Sequence, residues 1–245
     1  MRPPHISRWD LDKTYLRTEF DTMRDLVRTA FERPDEKRTN PGAATLLREL
    51  SEANVSIHIL SGSPEQMRRR LEEKLRLDGI RWDDFTLKPN LQNMLRLRFR
   101  ALRDQLGYKL PALLASRTGA GERLAGVRET LFGDDAEADA FVYSLYADIM
   151  AGRAGEELVE QILERGRVYE DVRAATVRCV RLVHPEPVVE RIFIHLEQQT
   201  HPRDFQVFGR RLVPFYNYLQ AAYVLHESGR LPAESLLRVA SEMVT

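Results

Sequence analysis

Over the first 150 residues, short apolar runs alternate with helical patterns, and several of the runs stop at polar residues able to do chemistry. This alternation constrains the fold more than any other feature, because a parallel sheet needs a helical crossover between successive strands. The first run, His5 to Trp9, ends on Asp10-Leu11-Asp12 and is unusually polar for a buried strand, with Ser7 and Arg8 inside it. A helix is predicted at 22–32, a loop at 33–42 and a helix at 43–53. The run from Val55 to Leu60 stops at Ser61-Gly62-Ser63-Pro64, where proline suits the first turn of the helix predicted over 65–77. A short strand at 84–87 follows, then an amphipathic helix through Leu91, Met94, Leu95, Phe99, Leu102 and Leu106, and another helix from Lys109. The strand at 129–132 runs into Gly133-Asp134-Asp135, and a helix covers 136–150. The expected class is α/β, a Rossmann-like core with a parallel sheet.

Beyond residue 152 the texture turns helical, punctuated by Pro185, Pro187, Pro202, Pro214 and Pro232. The expected organisation is a core over 1–152 followed by a mostly α-helical region over 153–245. Charged residues make up 30% of the chain and balance to a formal net charge of +0, so no global field favours nucleic acid or an anionic membrane. Cys179 is the single cysteine, which excludes an internal disulfide and a cysteine-based metal cage. The first residues lack the apolar stretch of a signal peptide, and no apolar run is long enough to span a bilayer. A cytoplasmic location is the expectation.

Three signals fall at C-terminal ends of strands, the edge where open α/β sheets bind ligands. In Asp10-Leu11-Asp12, two carboxylates two residues apart point to the same side as the chain leaves the strand. One can attack phosphorus while the other moves a proton. Ser61-Gly62-Ser63-Pro64 offers a hydroxyl and backbone donors to a phosphate at a helix start, although a serine cap is the commoner use of such a turn. Gly133-Asp134-Asp135-Ala136-Glu137-Ala138-Asp139 gathers carboxylates able to bind magnesium, a hard cation that prefers oxygen.

Taken in order, with a lysine between the second and third motifs, this set resembles the haloacid dehalogenase-like (HAD) phosphatase superfamily over roughly residues 5 to 150. The resemblance implies Asp10 as nucleophile and Asp12 as general acid and base, with the Asp12 main-chain carbonyl offered to the metal. It also implies Ser61, with Gly62, as phosphate holder and Asp134 as magnesium ligand, supported by Asp135 and Asp139. Thr14 matches the hydroxyl residue of the first motif, while Lys13 stands where a smaller residue is often found. The motif lysine is Lys109, opening a helix before the last acidic motif, with Lys88 as the competitor. More narrowly, Asp10 to Leu16, the serine turn, Arg98 to Arg103 and Leu131 to Asp135 are similar to the phosphatidate phosphatase catalytic domain of the actin-patch-protein type.

No gap between motifs holds a large cap domain, so a large phosphorylated substrate is expected: a lipid phosphate first, with nucleic-acid ends or phosphoproteins as alternatives. The basic clusters Arg68, Arg69, Arg70 and Arg96, Arg98, Arg100, Arg103 could touch an anionic membrane, or serve only as solvated faces of amphipathic helices. His184, His195, His201 and His226 lack metal-ligand spacing, which favours structural roles. A HAD-fold scaffold without chemistry is the alternative from another class, and the intact Asp10 and Asp12 pair argues against it.

Overall fold

The fold is taken from a computed structural model that describes residues 4–17, 38–88 and 101–244. Among them, six parallel strands form one sheet in the order β3-β2-β1-β4-β5-β6. The strands are β1 (His5–Trp9), β2 (Ser56–Pro64), β3 (Asp84–Lys88), β4 (Arg128–Asp134), β5 (Val189–His195) and β6 (Leu212–Phe215). The chain builds outward from β1 to β3, returns past β1 to β4, and continues to β6. This order opens a crevice between β1 and β4, the place where such sheets carry their ligands.

Helices cover both faces. On one lie α1 (Ala43–Glu52) and α2 (Arg68–Leu77), joined by α8 (Tyr218–Glu227) and α9 (Ala233–Val244). The other carries α3 (Ala101–Leu106), α4 (Lys109–Ala120), α5 (Asp139–Met150), α6 (Glu156–Arg165) and α7 (Glu170–Arg181). Alternation along each strand feeds the two cores: Ile57, Ile59, Phe132 and Phe193 enter the first, Leu60, Leu131, Ile192 and Ile194 the second. Trp9, Phe132 and Phe193 stand side by side on neighbouring strands and stack, with centroids 3.9 and 4.6 Å apart. Each such pair adds about 1 kcal/mol beyond its buried area.

The polarity of β1 has a structural cause. Arg8 points into the second core, where its guanidinium donates two hydrogen bonds to Glu129, at 3.1 and 3.0 Å. Glu129 also accepts from Arg117 at 3.0 Å and from the Tyr146 hydroxyl at 2.9 Å. On the opposite face the Ser7 hydroxyl accepts from the Trp9 indole at 2.7 Å. The two polar side chains inside the strand, Ser7 and Arg8, are therefore both partnered, the condition under which burial is tolerated.

The region from 153 onward corrects one expectation. It is not a helical annex to a finished core, because β5 and β6 extend the same sheet and α8 and α9 complete the layer beside Trp9. The sheet passes the expected boundary at 152 without a break. Elsewhere the expected elements match within a few residues. The helix at 22–32, most of the helix through Leu91 to Leu106, and Arg96, Arg98 and Arg100 lie outside the described residues. The stretches between Thr14 and Val55 and between Pro64 and Lys109, expected to hold no large cap, fall partly there too. Among the described residues, no helix is long and apolar enough to cross a membrane.

Candidate functional site

The site lies at the crevice between β1 and β4. Asp10 follows β1, and its amide still donates to the Phe132 carbonyl at 2.9 Å, so the ladder carries the residue to the rim. Asp134 ends β4, and its Oδ1 accepts from the amides of Ala136 and Glu137 at 2.7 and 3.0 Å, folding the following turn. That turn brings round Asp139, the first residue of α5, whose Oδ2 accepts from the Asp134 amide at 3.3 Å. Gly133 makes the return possible. A Cβ there would sit 2.6 Å from Asp139 Cβ and 2.8 Å from its Cγ, distances that real side chains do not adopt.

Asp10, Asp134, Glu137 and Asp139 each present one carboxylate oxygen, and these oxygens all lie within 4.8 Å of one another. Lys109 opens α4 and reaches into the group from the side, fully buried, with Nζ 3.2 Å from Asp10, 3.0 Å from Glu137 and 2.6 Å from Asp139. One ammonium leaves four clustered carboxylates short of cations. Burial, reinforced by Asp139, Glu137 and Asp134, pushes the Asp10 carboxyl well above the usual range against the pull of Lys109. Burial acts the same way on Asp134, with Glu137 and Asp139 adding to it. Asp139 is raised to about 6 by burial, with Lys109 opposing and Glu137 adding. Burial alone would lower Lys109, yet Asp10, Asp139 and Glu137 outweigh it and hold the ammonium well above its usual value.

Neither oxygen of the buried Asp10 carboxylate accepts a hydrogen bond among the described residues. A carboxylate without hydrogen bonds, sharing one ammonium with neighbouring carboxylates, fits a hard cation with oxygen ligands. The geometry therefore supports a metal site without fixing the metal.

The remaining expected residues divide. The Asp12 carboxylate accepts from Ser61 Oγ at 3.1 Å and Ser63 Oγ at 2.7 Å. This brings the serine turn of β2, with Gly62 between the two hydroxyls, against the first motif. Thr14 Oγ1 donates to Asp134 at 3.4 Å. Lys88 closes β3, two strands from β1, whereas Lys109 touches Asp10. Asp135 departs from its expected place: its carboxylate accepts from the amides of Gln198 and Thr200 at 2.8 and 3.0 Å and anchors the loop after β5. Glu137, named in the acidic motif but given no role of its own there, takes a place in the cluster. Its position three residues after Asp134 was the available signal. Ser63 was likewise missed, although it repeats the hydroxyl of Ser61 two residues on.

Trp9 and Tyr218 are core residues, and Tyr216 and Tyr223 are exposed. Arg68 pairs with Glu65 and Glu72 and lies over the Phe85 ring. No protein-family model matches this chain, and no curated protein or solved structure matches it either.

Proposed function

We propose that this chain is a magnesium-dependent phosphomonoesterase of the HAD type, acting through an aspartyl-phosphate at Asp10. The observation that carries the reading is the buried, hydrogen-bond-free Asp10 carboxylate set within 4.8 Å of Asp134, Glu137 and Asp139 and beside Lys109. Asp10, Asp134 and an outer carboxylate would hold magnesium, which when bound screens the charge between nucleophile and phosphate.

The chain's own residues do the rest. Asp10 attacks phosphorus, a bond forms between its Oδ and the phosphoryl group, and the ester oxygen departs with a proton from Asp12. Water then attacks the same phosphorus and gives its proton to Asp12, releasing inorganic phosphate and restoring Asp10. The hydrogen bonds from Ser61 and Ser63 orient the Asp12 carboxyl for both transfers. The ammonium of Lys109 offsets the charge of Asp10 and of a phosphate oxygen.

The substrate class we assign is a lipid phosphate such as phosphatidate, supported by the resemblance of the motif text. Nucleic-acid ends and phosphopeptides are the other arms of a substrate panel. The Asp10→Asn variant is expected to lose magnesium-dependent hydrolysis of p-nitrophenyl phosphate by roughly a thousandfold or more, with its circular dichroism unchanged. Turnover persisting in that variant removes the nucleophile assignment. A wild type without turnover, which also forms no beryllium fluoride adduct at Asp10, leaves only the scaffold.

A further inference from the structure

The loop that follows the nucleophile is held from above by side chains remote in sequence. Lys13 has φ +58, the left-handed region that a residue with a Cβ enters at a cost. The two carbonyls that follow this kink are both taken. The Lys13 carbonyl accepts from the His195 ring at 3.1 Å and from the Asn40 amide at 3.3 Å. The Thr14 carbonyl accepts from the same Asn40 amide at 2.6 Å and from the Tyr218 hydroxyl at 2.6 Å. A carbonyl can only accept, so His195 Nδ1 carries the proton in this bond.

Asn40 precedes α1, His195 ends β5, and Tyr218 opens α8. All three are buried, as is Thr14. The support is itself buried among aromatic side chains. Tyr218 stacks beside Trp9 with centroids 5.9 Å apart, lies tilted against His195 at 5.5 Å, and packs edge-on to Phe215. Gly42, at φ +83, lets the start of α1 approach so closely that a Cβ there would lie 3.1 Å from Tyr218 Cβ.

The geometry points to His195 and Tyr218 as positioning residues for the first motif, supplied by the part of the chain beyond β4. This rests on the phosphatase reading and adds to it. The Asp12 carbonyl belongs to the peptide plane that Lys13 φ rotates, so fixing Lys13 fixes the direction of that carbonyl. Fixing Thr14 in turn keeps its hydroxyl on Asp134. Neither His195 nor Tyr218 touches the reacting atoms. They act through the backbone of Lys13 and Thr14, setting Asp12 and Asp134 relative to Asp10.

The test uses Tyr218→Phe, which removes one hydroxyl, and His195→Ala beside His195→Asn, which returns an amide donor near the Nδ1 position. Hydrogen exchange is followed at the amides of Tyr15 and Leu16, both bonded to the Leu11 carbonyl within this loop. We expect Tyr218→Phe and His195→Ala to lower kcat for p-nitrophenyl phosphate at saturating magnesium about tenfold, with KM within about twofold, since small misplacements act on the chemical step. Exchange at both amides accelerates, amides of α6 keep their protection, and His195→Asn recovers most of the loss in kcat. Turnover within about twofold of wild type in both Tyr218→Phe and His195→Ala overturns the proposal, whether or not exchange accelerates, while leaving the phosphatase reading intact. Should Tyr218→Phe fail to fold, the two His195 variants decide the matter. A wild type without Asp10-dependent turnover takes down the phosphatase reading, and the positioning role falls with it.

Discussion

Asp139, raised to about 6 by burial with Lys109 opposing and Glu137 adding, states the cost of gathering four carboxylates around one ammonium. Between the ordinary 3.8 and about 6 the folded chain binds more protons here than the unfolded one. The contribution of this group to stability therefore falls as pH rises through that window, and Asp10 and Asp134 act in the same direction. A bound cation reverses the sign, because its ligands must be deprotonated. Added magnesium is expected to raise the melting temperature by several degrees at about pH 7.5 and by much less at about pH 5.5. Thermal unfolding with and without the metal checks this, and equal gains at both pH values would contradict it. His5 is the opposite case. Burial, assisted by the charge of Arg230, lowers it from 6.5 to about 4. Its unfolded form binds the extra proton, so its contribution is complete above about 6.5 and is lost as pH falls toward 4. The stability advantage of wild type over His5→Gln should shrink by roughly 2–3 kcal/mol between pH 7 and 4 in urea unfolding.

Among the elements, β1 carries the sharpest conflict between local pattern and tertiary setting. Its sequence argues against a buried strand, and only the partners on β4, α4 and α5 make Arg8 acceptable there. Replacing Glu129 with leucine leaves two buried guanidinium groups without their carboxylate and should cost roughly 3–5 kcal/mol in denaturant unfolding. A loss below about 1 kcal/mol would show that the network bears little on stability. The same conflict explains what could be read beforehand. The strands with apolar runs and the helices with a clear 3.6 period were legible, as was the meeting of Asp10 with Lys109 and Asp134, while Asp12 and Ser61 were expected there and bond to each other. β6 was hidden because Pro214 breaks a four-residue run; the structure tolerates it because β6 is the sheet edge. β5 was hidden because Pro185 and Pro187 precede it and helices surround it. Glu137 reads as one more acid in a helix start until the turn around Gly133 folds it inward.

For the molecule as a whole, the two strands beyond residue 152 change what counts as the folding unit. Without the chain beyond 152, Phe132 and Leu131, both buried, would lose the neighbouring strand, and Trp9 would lose Tyr218 of α8. Residues 1–152 alone should show no cooperative thermal transition; a sharp melt for that fragment would restore the boundary expected from the sequence. The hydrogen bond from Tyr218 to Thr14 spans 204 positions of the chain. On a ribosome, where the N-terminal part of a chain emerges first, the aspartate leaves the tunnel long before the tyrosine that steadies its neighbours. A nascent chain can thus hold the acidic residues and β1 to β4 and still lack an ordered centre. The hydrogen bonds that converge on Lys13 and Thr14 are complete only once translation has passed α8.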